Sequence, residues 1–211
     1  MAAGGSGSRA RDSSDARPKQ FRSLHGRGLW EWSYEVLSAV CDPVVVVAPE
    51  DELRGLSASE AVAGGATRQA SIARGLAVIE TEQVVVHDAA RPLVTHELVT
   101  DVVAALDSAD GVFAAVGVRD TLAHVRDGAM TGIVPRAEIV SVQTPQAFWT
   151  AALEDSHARA VAEGIDDASD DAQLLVHFGY RVVPVPGDER NLKVTYPSDL
   201  LLAELFATHE R

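Results

Sequence analysis

Apolar positions along the chain follow two rhythms, and the two alternate. Residues 29–40 (LWEWSYEVLSAV) repeat at helical spacing, whereas Val44 to Ala48 is an unbroken apolar run of strand length. The same exchange recurs: helix over 67–80, strand over Val84 to His87, helix over 95–106, strand over 112–118. Thr95 and Glu97 suit the start of the third helix. After an irregular stretch the rhythm resumes with a strand from Val140 to Gln143 and helices at 149–162 and near 171–178. Strands at 181–185 and 192–195 follow, then a helix at 197–207 with Pro197 in its first turn. Strands alternating with helices predict an α/β fold, a mostly parallel sheet with helices on both faces. The irregular part, 119–136 (RDTLAHVRDGAMTGIVPR), holds a hairpin signal at Asp127-Gly128 and reads as a protruding β-arm. No internal repeat or long linker divides residues 1–211, so a single domain is expected.

In such sheets ligands sit beyond the carboxyl ends of the strands. The segments of interest are therefore 64–71 (GGATRQAS, after a weak apolar run), 88–92 (DAARP) and 144–146 (TPQ). The opening run, MAAGGSGSRARDSSDARPKQF, is a fourth if a strand precedes it. Gly5-Ser6-Gly7-Ser8-Arg9-Ala10 fits G-x-G-x-x-G/A, but that motif needs a strand before it and a packed helix after, and RDSSDARP follows instead. No Gly-Lys-Ser/Thr makes it a P-loop. What remains is a run of small residues whose N–H groups can approach phosphate, flanked by Arg9 and Lys19. A solvated basic tail is the plain alternative.

Composition narrows the function classes. A net charge of −13 over 211 residues argues against nucleic-acid binding, which needs a positive footprint. It leaves an anionic small substrate open, since a few cations in a cleft can outweigh a distant acidic surface. No apolar run reaches the ~20 residues of a membrane span, and no secretory leader is seen. One cysteine, Cys41, excludes an internal disulfide framework and a Cys-rich zinc site, and the seven histidines show no metal-ligand spacing. A cytoplasmic protein is expected. The 18 basic residues include only two lysines, Lys19 and Lys193, a distribution that is either chance or a requirement for an ammonium at two places.

Eight motifs in order, AGGSGSR, PKQF, GGATRQAS, VVVHDAARP, RDTL, VQTPQAF, SDDAQLL and GDERNLKVT, resemble those of the 2-C-methyl-D-erythritol 4-phosphate cytidylyltransferase family. Ribitol-5-phosphate cytidylyltransferases share most of them. The resemblance implies a Rossmann-like nucleotidyltransferase sheet, dimeric through the 119–136 arm, that joins CTP to a small polyol phosphate with Mg²⁺ and releases pyrophosphate. No protein nucleophile is required. Arg9 and Lys19 match the stabilisers of the α-phosphate transition state, Lys193 the lysine that positions the acceptor phosphate, and Arg136 the arginine that reaches the partner's acceptor site. Both lysines thus fall at catalytic positions. Gly5 and Gly7 match the phosphate loop, and Gly64, Gly65 and Ser71 the segment that reads cytosine. Asp88 matches the carboxylate near the acceptor hydroxyls and Mg²⁺, the metal being held mostly by CTP phosphates; a turn cap for 89–92 is its other reading. Arg91, Thr121, Thr144 and Ser169 match acceptor-binding groups, with Ser169 also suited to a helix N-cap. His87 reads as packing or orienting its strand end. Trp30 and Trp32 read as core and helix surface.

Departures from the family pattern are few. The family has an apolar strand before the opening glycines, and here the first core strand is expected to be missing. Ala66 stands where an acidic residue is common, RDTLAHV lacks a lysine after DTL, and Gly28 replaces a proline. Another polyol-phosphate cytidylyltransferase and an inactive nucleotide-binding homologue are the competing expectations.

Overall fold

The computed structural model describes residues 1–3 and 19–208, with the Lys19 side chain excluded. A short antiparallel pair, β1 (Ser23–Leu24) and β2 (Arg27–Gly28), leads into α1 (Leu29–Ser38). The chain continues through β3 (Val45–Ala48), β4 (Glu60–Ala63), α2 (Arg68–Leu76), β5 (Gln83–Val86) and α3 (His96–Ala104). After β6 (Gly111–Gly117) come β7 (Leu122–Arg126), β8 (Ala129–Val134) and β9 (Val140–Trp149). Helices α4 (Thr150–Ala162) and α5 (Asp171–His177), strand β10 (Val182–Pro186) and α6 (Pro197–Ala207) complete it.

Strands pair in the order β10–β6–β9–β5 and, separately, β3–β4. Met1 to Ala3 lie between these two groups. Ala2 bridges Val47 and Asp88 in parallel, Val47 N–H donates to the Met1 carbonyl at 2.9 Å, and Ala89 N–H donates to the Ala2 carbonyl at 3.0 Å. The expected gap at the first strand is thus partly closed by three residues. Below them an apolar cavity of about 680 Å³ separates the edges, lined among others by Met1, Val45, Leu76 and Val84. The Met1 ammonium donates to the Val45 carbonyl at 2.6 Å, and its burial lowers its pKa to about 6.

Apolar burial on both sheet faces explains the two rhythms. Ile72, Leu76, Leu153 and Leu175 from α2, α4 and α5 pack on Val86 and Phe148. Leu98 and Val102 of α3 pack on Val112, Ala114 and Ala147 from the opposite face. Helix starts are set by local hydrogen bonds: Thr67 and Thr95 accept from Ala70 and Leu98 N–H at 3.1 and 3.2 Å. At α6, Pro197 occupies the first turn and the Asp199 carboxylate accepts from Thr195 and Tyr196 N–H.

Three elements differ from expectation. Residues 60–63 form β4, parallel to β3, because pairing with a buried neighbour compensates for a weak apolar pattern. Residues 192–195 are not a strand; Val194 N–H makes one bond, to the Ala90 carbonyl at 2.8 Å. The third is β9, which runs on from Gln143 to Trp149, antiparallel to both β5 and β6. Its register slips between Phe113 and Ala115 of β6, so Thr144 sits inside the strand at an irregularity and not in a loop after it. The arm is the expected hairpin: β7 pairs only with β8 in the sheet order, and Asp127 and Gly128 turn with positive φ of 52° and 78°.

Candidate active site

The end of β5 and the slip in β9 face a common cleft. Its main cavity, about 540 Å³, is lined by Arg68, Asp88, Arg91, Thr144, Ser169 and Lys193 among others. Asp88 lies two residues past β5, and its N–H donates to the Thr144 hydroxyl at 3.0 Å, so the β9 irregularity helps fix where the carboxylate points. Lys193 Nζ donates to Asp88 Oδ2 at 2.5 Å, and Arg68 Nε lies 3.5 Å from Oδ1. Burial alone would raise the Asp88 carboxyl, but Lys193 and Arg68 outweigh it and hold it far below the usual carboxylate range. Asp88 is therefore a permanent anion. Lys193 is 41% exposed at the side chain, so its ammonium faces a ligand as readily as Asp88.

Beneath the cleft the groups are locked. His87 is fully buried, with Nε2 3.1 Å from the Arg91 carbonyl and Nδ1 3.2 Å from the Thr144 hydroxyl. Its burial depresses the imidazole to about 4, so it is neutral at pH 7 and orients the strand end, as its sequence position suggests. Arg91 donates to the Asn191 carbonyl at 2.8 Å and is more strut than exposed cation, although it lines the cavity. Burial lowers its pKa, partly offset by Asp88 and Asp170.

The 64–71 segment lies beside the cleft and contributes Arg68 to its lining. Gly65 N–H donates to the Ser71 hydroxyl at 3.0 Å, and that hydroxyl donates to the Thr67 carbonyl at 2.9 Å. A Cβ on Gly65 would stand 2.5 Å from Ala70 Cβ, so only glycine permits this turn. Such a tight, backbone-rich turn suits recognition of a flat heterocycle through N–H and C=O groups.

A strand-end cleft with Asp88 between two cations and a glycine turn beside it leaves the family open, and comparison with known proteins decides it. The family model described as 2-C-methyl-D-erythritol 4-phosphate cytidylyltransferase (IspD) matches residues 1–209. The chain belongs to this cytidylyltransferase family. It is 41% identical over 191 residues to the cytidylyltransferase of Thermus thermophilus, covering 90% of this chain and 89% of that one. To the Deinococcus radiodurans cytidylyltransferase it is 40% identical over 193 residues, covering 91% and 83%. The Thermus crystal structure superposes with a TM-score of 0.83, covering 90% of this chain and 94% of that one. The Anaerococcus prevotii 4-diphosphocytidyl-2C-methyl-D-erythritol synthase gives 0.82 at 26% identity, covering 98% and 95%. The protein is a CTP-dependent nucleotidyltransferase.

In this cytidylyltransferase the fold brings together Asp88, Arg91, Thr144, Ser169 and Lys193 around the cavity, with Gly64, Gly65 and Ser71 in the neighbouring turn. Thr121 and Arg136 are exposed at the base of the arm and do not line it; Arg136 bonds the Arg119 carbonyl. Gly5, Gly7 and Arg9 lie outside the described residues. Lys19 begins a short 3-10 turn that Gln20 ties to the Ala3 carbonyl, at the end of the central strand stub. The N-cap of α5 is Asp170, which accepts from Ala172 N–H at 2.9 Å, so Ser169 is not the cap; its hydroxyl bonds Gln173. Asp88 does not cap its turn through the side chain; the turn closes from Arg91 N–H to the Asp88 carbonyl at 2.9 Å.

Sequence reading missed Arg68, Asp171 and His157. Arg68 donates to Asp171 Oδ2 at 2.6 Å, and His157 Nε2 lies 3.0 Å from Oδ1 of the same carboxylate. A signal existed: a cation in the first turn of α2 opposes the helix dipole and needs carboxylates to hold it.

Proposed function

We propose that the protein transfers CMP from CTP to 2-C-methyl-D-erythritol 4-phosphate, giving 4-diphosphocytidyl-2-C-methyl-D-erythritol and pyrophosphate, a step of non-mevalonate isoprenoid precursor synthesis. The observation that carries the reading is the Lys193–Asp88 pair at the floor of a strand-end cleft, in a chain of this family. An acceptor phosphate oxygen attacks the α-phosphorus of CTP, a new P–O bond forms, and the bond to the pyrophosphate oxygen breaks in line. Stabilisation of the crowded phosphorus by fixed cations supplies most of the catalysis. Arg9 and Lys19 take that role. Lys193 exchanges Asp88 for the acceptor phosphate, helped by hydroxyls of Thr121, Thr144 and Ser169 and by Arg91. Gly64, Gly65 and Ser71 read cytosine, and Gly5 and Gly7 offer backbone N–H groups to the triphosphate.

Among the described residues no group of three His, Cys, Asp or Glu side chains could hold a metal. Asp88 and Asp170 are the carboxylates lining the cleft, and Asp170 is taken up by Gln146 and the Ala172 N–H, which leaves Asp88 to fit Mg²⁺ bound mainly through substrate phosphates with one protein ligand. When bound, that ion neutralises the triphosphate and supports the departing pyrophosphate.

We also propose a cytoplasmic homodimer in which the 119–136 arm carries Arg136 to the partner's acceptor site. Support comes from a two-stranded arm that exposes Val125, Met130 and Ile133 at 66%, 66% and 53%. No helix among the described residues is long and apolar enough to cross a membrane. Met130→Asp with Ile133→Asp is expected to give a monomer by light scattering with depressed turnover; an unchanged dimer would remove the arm from the interface.

Pyrophosphate release with CTP and Mg²⁺ tests the reaction. Release that requires methylerythritol 4-phosphate supports it. Release only with D-ribitol 5-phosphate transfers the assignment to that acceptor, and silence with both, in a folded protein, favours an inactive homologue.

A further inference from the structure

Asp88 uses its two oxygens on two different cations, and the two cations are not equivalent. Lys193 reaches Oδ2 from a side chain that is 41% exposed. Arg68 approaches Oδ1 from a side chain that is 19% exposed, and it is anchored from behind. Its Nη1 is 2.6 Å from Asp171 Oδ2, while His157 Nε2 is 3.0 Å from Asp171 Oδ1, with Asp171 only 1% exposed. Lys193 can leave Asp88; Arg68 cannot leave without breaking its buried pair with Asp171.

We propose that Arg68 is a positioning residue for the acceptor half of the site, holding Asp88 oriented and charge-balanced when Lys193 turns to the acceptor phosphate. The inference rests on the cleft being the acceptor site. Arg68 touches neither substrate in this scheme and acts through Asp88. Without it, Asp88 would depend on Lys193 for its close ion pair, with Arg91 committed to the Asn191 carbonyl, and the ammonium would be held back from the phosphate. Because Arg68 also opens α2, directly after the glycine turn, a purely structural role predicts a different outcome: loosening of the pyrimidine-reading segment and weaker CTP binding.

The experiment is a kinetic and stability cycle on the full chain with Arg68→Gln, Arg68→Lys, Asp88→Asn and the Arg68→Gln/Asp88→Asn double variant. Whichever of methylerythritol 4-phosphate or ribitol 5-phosphate the wild type uses serves as acceptor. Arg68→Gln is expected to raise the acceptor KM about tenfold and leave the CTP KM within about twofold. Arg68→Lys, which keeps a cation for Asp171, folds and recovers part of the loss. Adding Arg68→Gln to Asp88→Asn changes the rate by less than about twofold, since the residue it acts through is already neutral. A CTP KM raised as much as the acceptor KM, or rate losses that multiply in the double variant, would overturn the proposal. Urea denaturation of the wild type, Arg68→Gln, Asp88→Asn and the double variant reads the Arg68–Asp88 coupling without any turnover, so midpoint shifts that simply add would overturn it even if neither acceptor reacts. Wild-type silence with both acceptors, by contrast, counts against the function and not against this coupling.

Discussion

An apolar strand added ahead of Met1 should lengthen the central stub into the cavity between β3 and β5. Five extended residues span ~16 Å, enough to run beside both edges. Their side chains would enter a space of about 680 Å³ already lined by Val45, Val47, Leu76, Val84 and Val86. Each buried apolar side chain contributes ~1.5–3 kcal/mol. Ordering each residue's backbone opposes this by ~1–2 kcal/mol. Each ladder bond adds about 0.5–1.5 kcal/mol. The Met1 ammonium enters as well: its pKa falls by burial from 8.0 to about 6, so folding at pH 7 must strip a proton that the unfolded chain keeps. Turning it into an amide removes that penalty of about 1 kcal/mol at pH 7. The gains outweigh the ordering cost, so Tm should rise, by about 2–4 °C for each kcal/mol of net gain in a domain of this size. Differential scanning fluorimetry would compare the chain as given, a five-residue Val/Leu/Ile extension and a five-residue Gly/Ser extension. Equal Tm for the two extensions would rule out this role for the cavity, because only the apolar one can fill it.

Lys19→Ala and Arg9→Ala are each expected to lower turnover by about 10²–10³-fold, the scale of losing one transition-state donor; near-normal turnover would remove that residue from its role. Lys193→Ala should weaken the acceptor more than CTP, which initial-rate measurements against both substrates would show. Gly65→Ala pushes a Cβ to within 2.5 Å of Ala70 Cβ and should raise the CTP KM by about tenfold or more, while the acceptor KM moves less. His87 is neutral when folded down to about pH 4 and takes up its proton near pH 6.5 when unfolded. Its contribution is therefore complete above about pH 6.5 and is lost as pH falls toward 4, by about 3 kcal/mol in all. Urea titrations at pH 7 and pH 4.5 should show a smaller pH loss in His87→Gln than in the wild type.

Much of the fold is legible because burial on two sheet faces writes itself into the chain as runs and helical stripes: α6 falls where its pattern and Pro197 place it, and the Asp127-Gly128 turn marks the arm. Strand β4 is not legible, since EAVA has no pattern of its own and owes its conformation to pairing with β3. Nor is the direction of β9, as an antiparallel neighbour leaves no local signature in a buried run. The same division holds in the site. Asp88 and Lys193 are visible from their motifs, and they meet at 2.5 Å although 105 residues apart. The Arg68–Asp171–His157 group is invisible from spacing because its members come from α2, α5 and α4 and meet only once those helices pack on one face of the sheet.

Whether the cleft joins CMP to methylerythritol phosphate is best decided by competition. The purified protein receives CTP, Mg²⁺ and equal concentrations of 2-C-methyl-D-erythritol 4-phosphate and D-ribitol 5-phosphate in one reaction. Mass spectrometry then reads which cytidine diphosphate alcohol accumulates. The methylerythritol product is expected in large excess, with one pyrophosphate released per product; a predominance of the ribitol product would contradict the assignment.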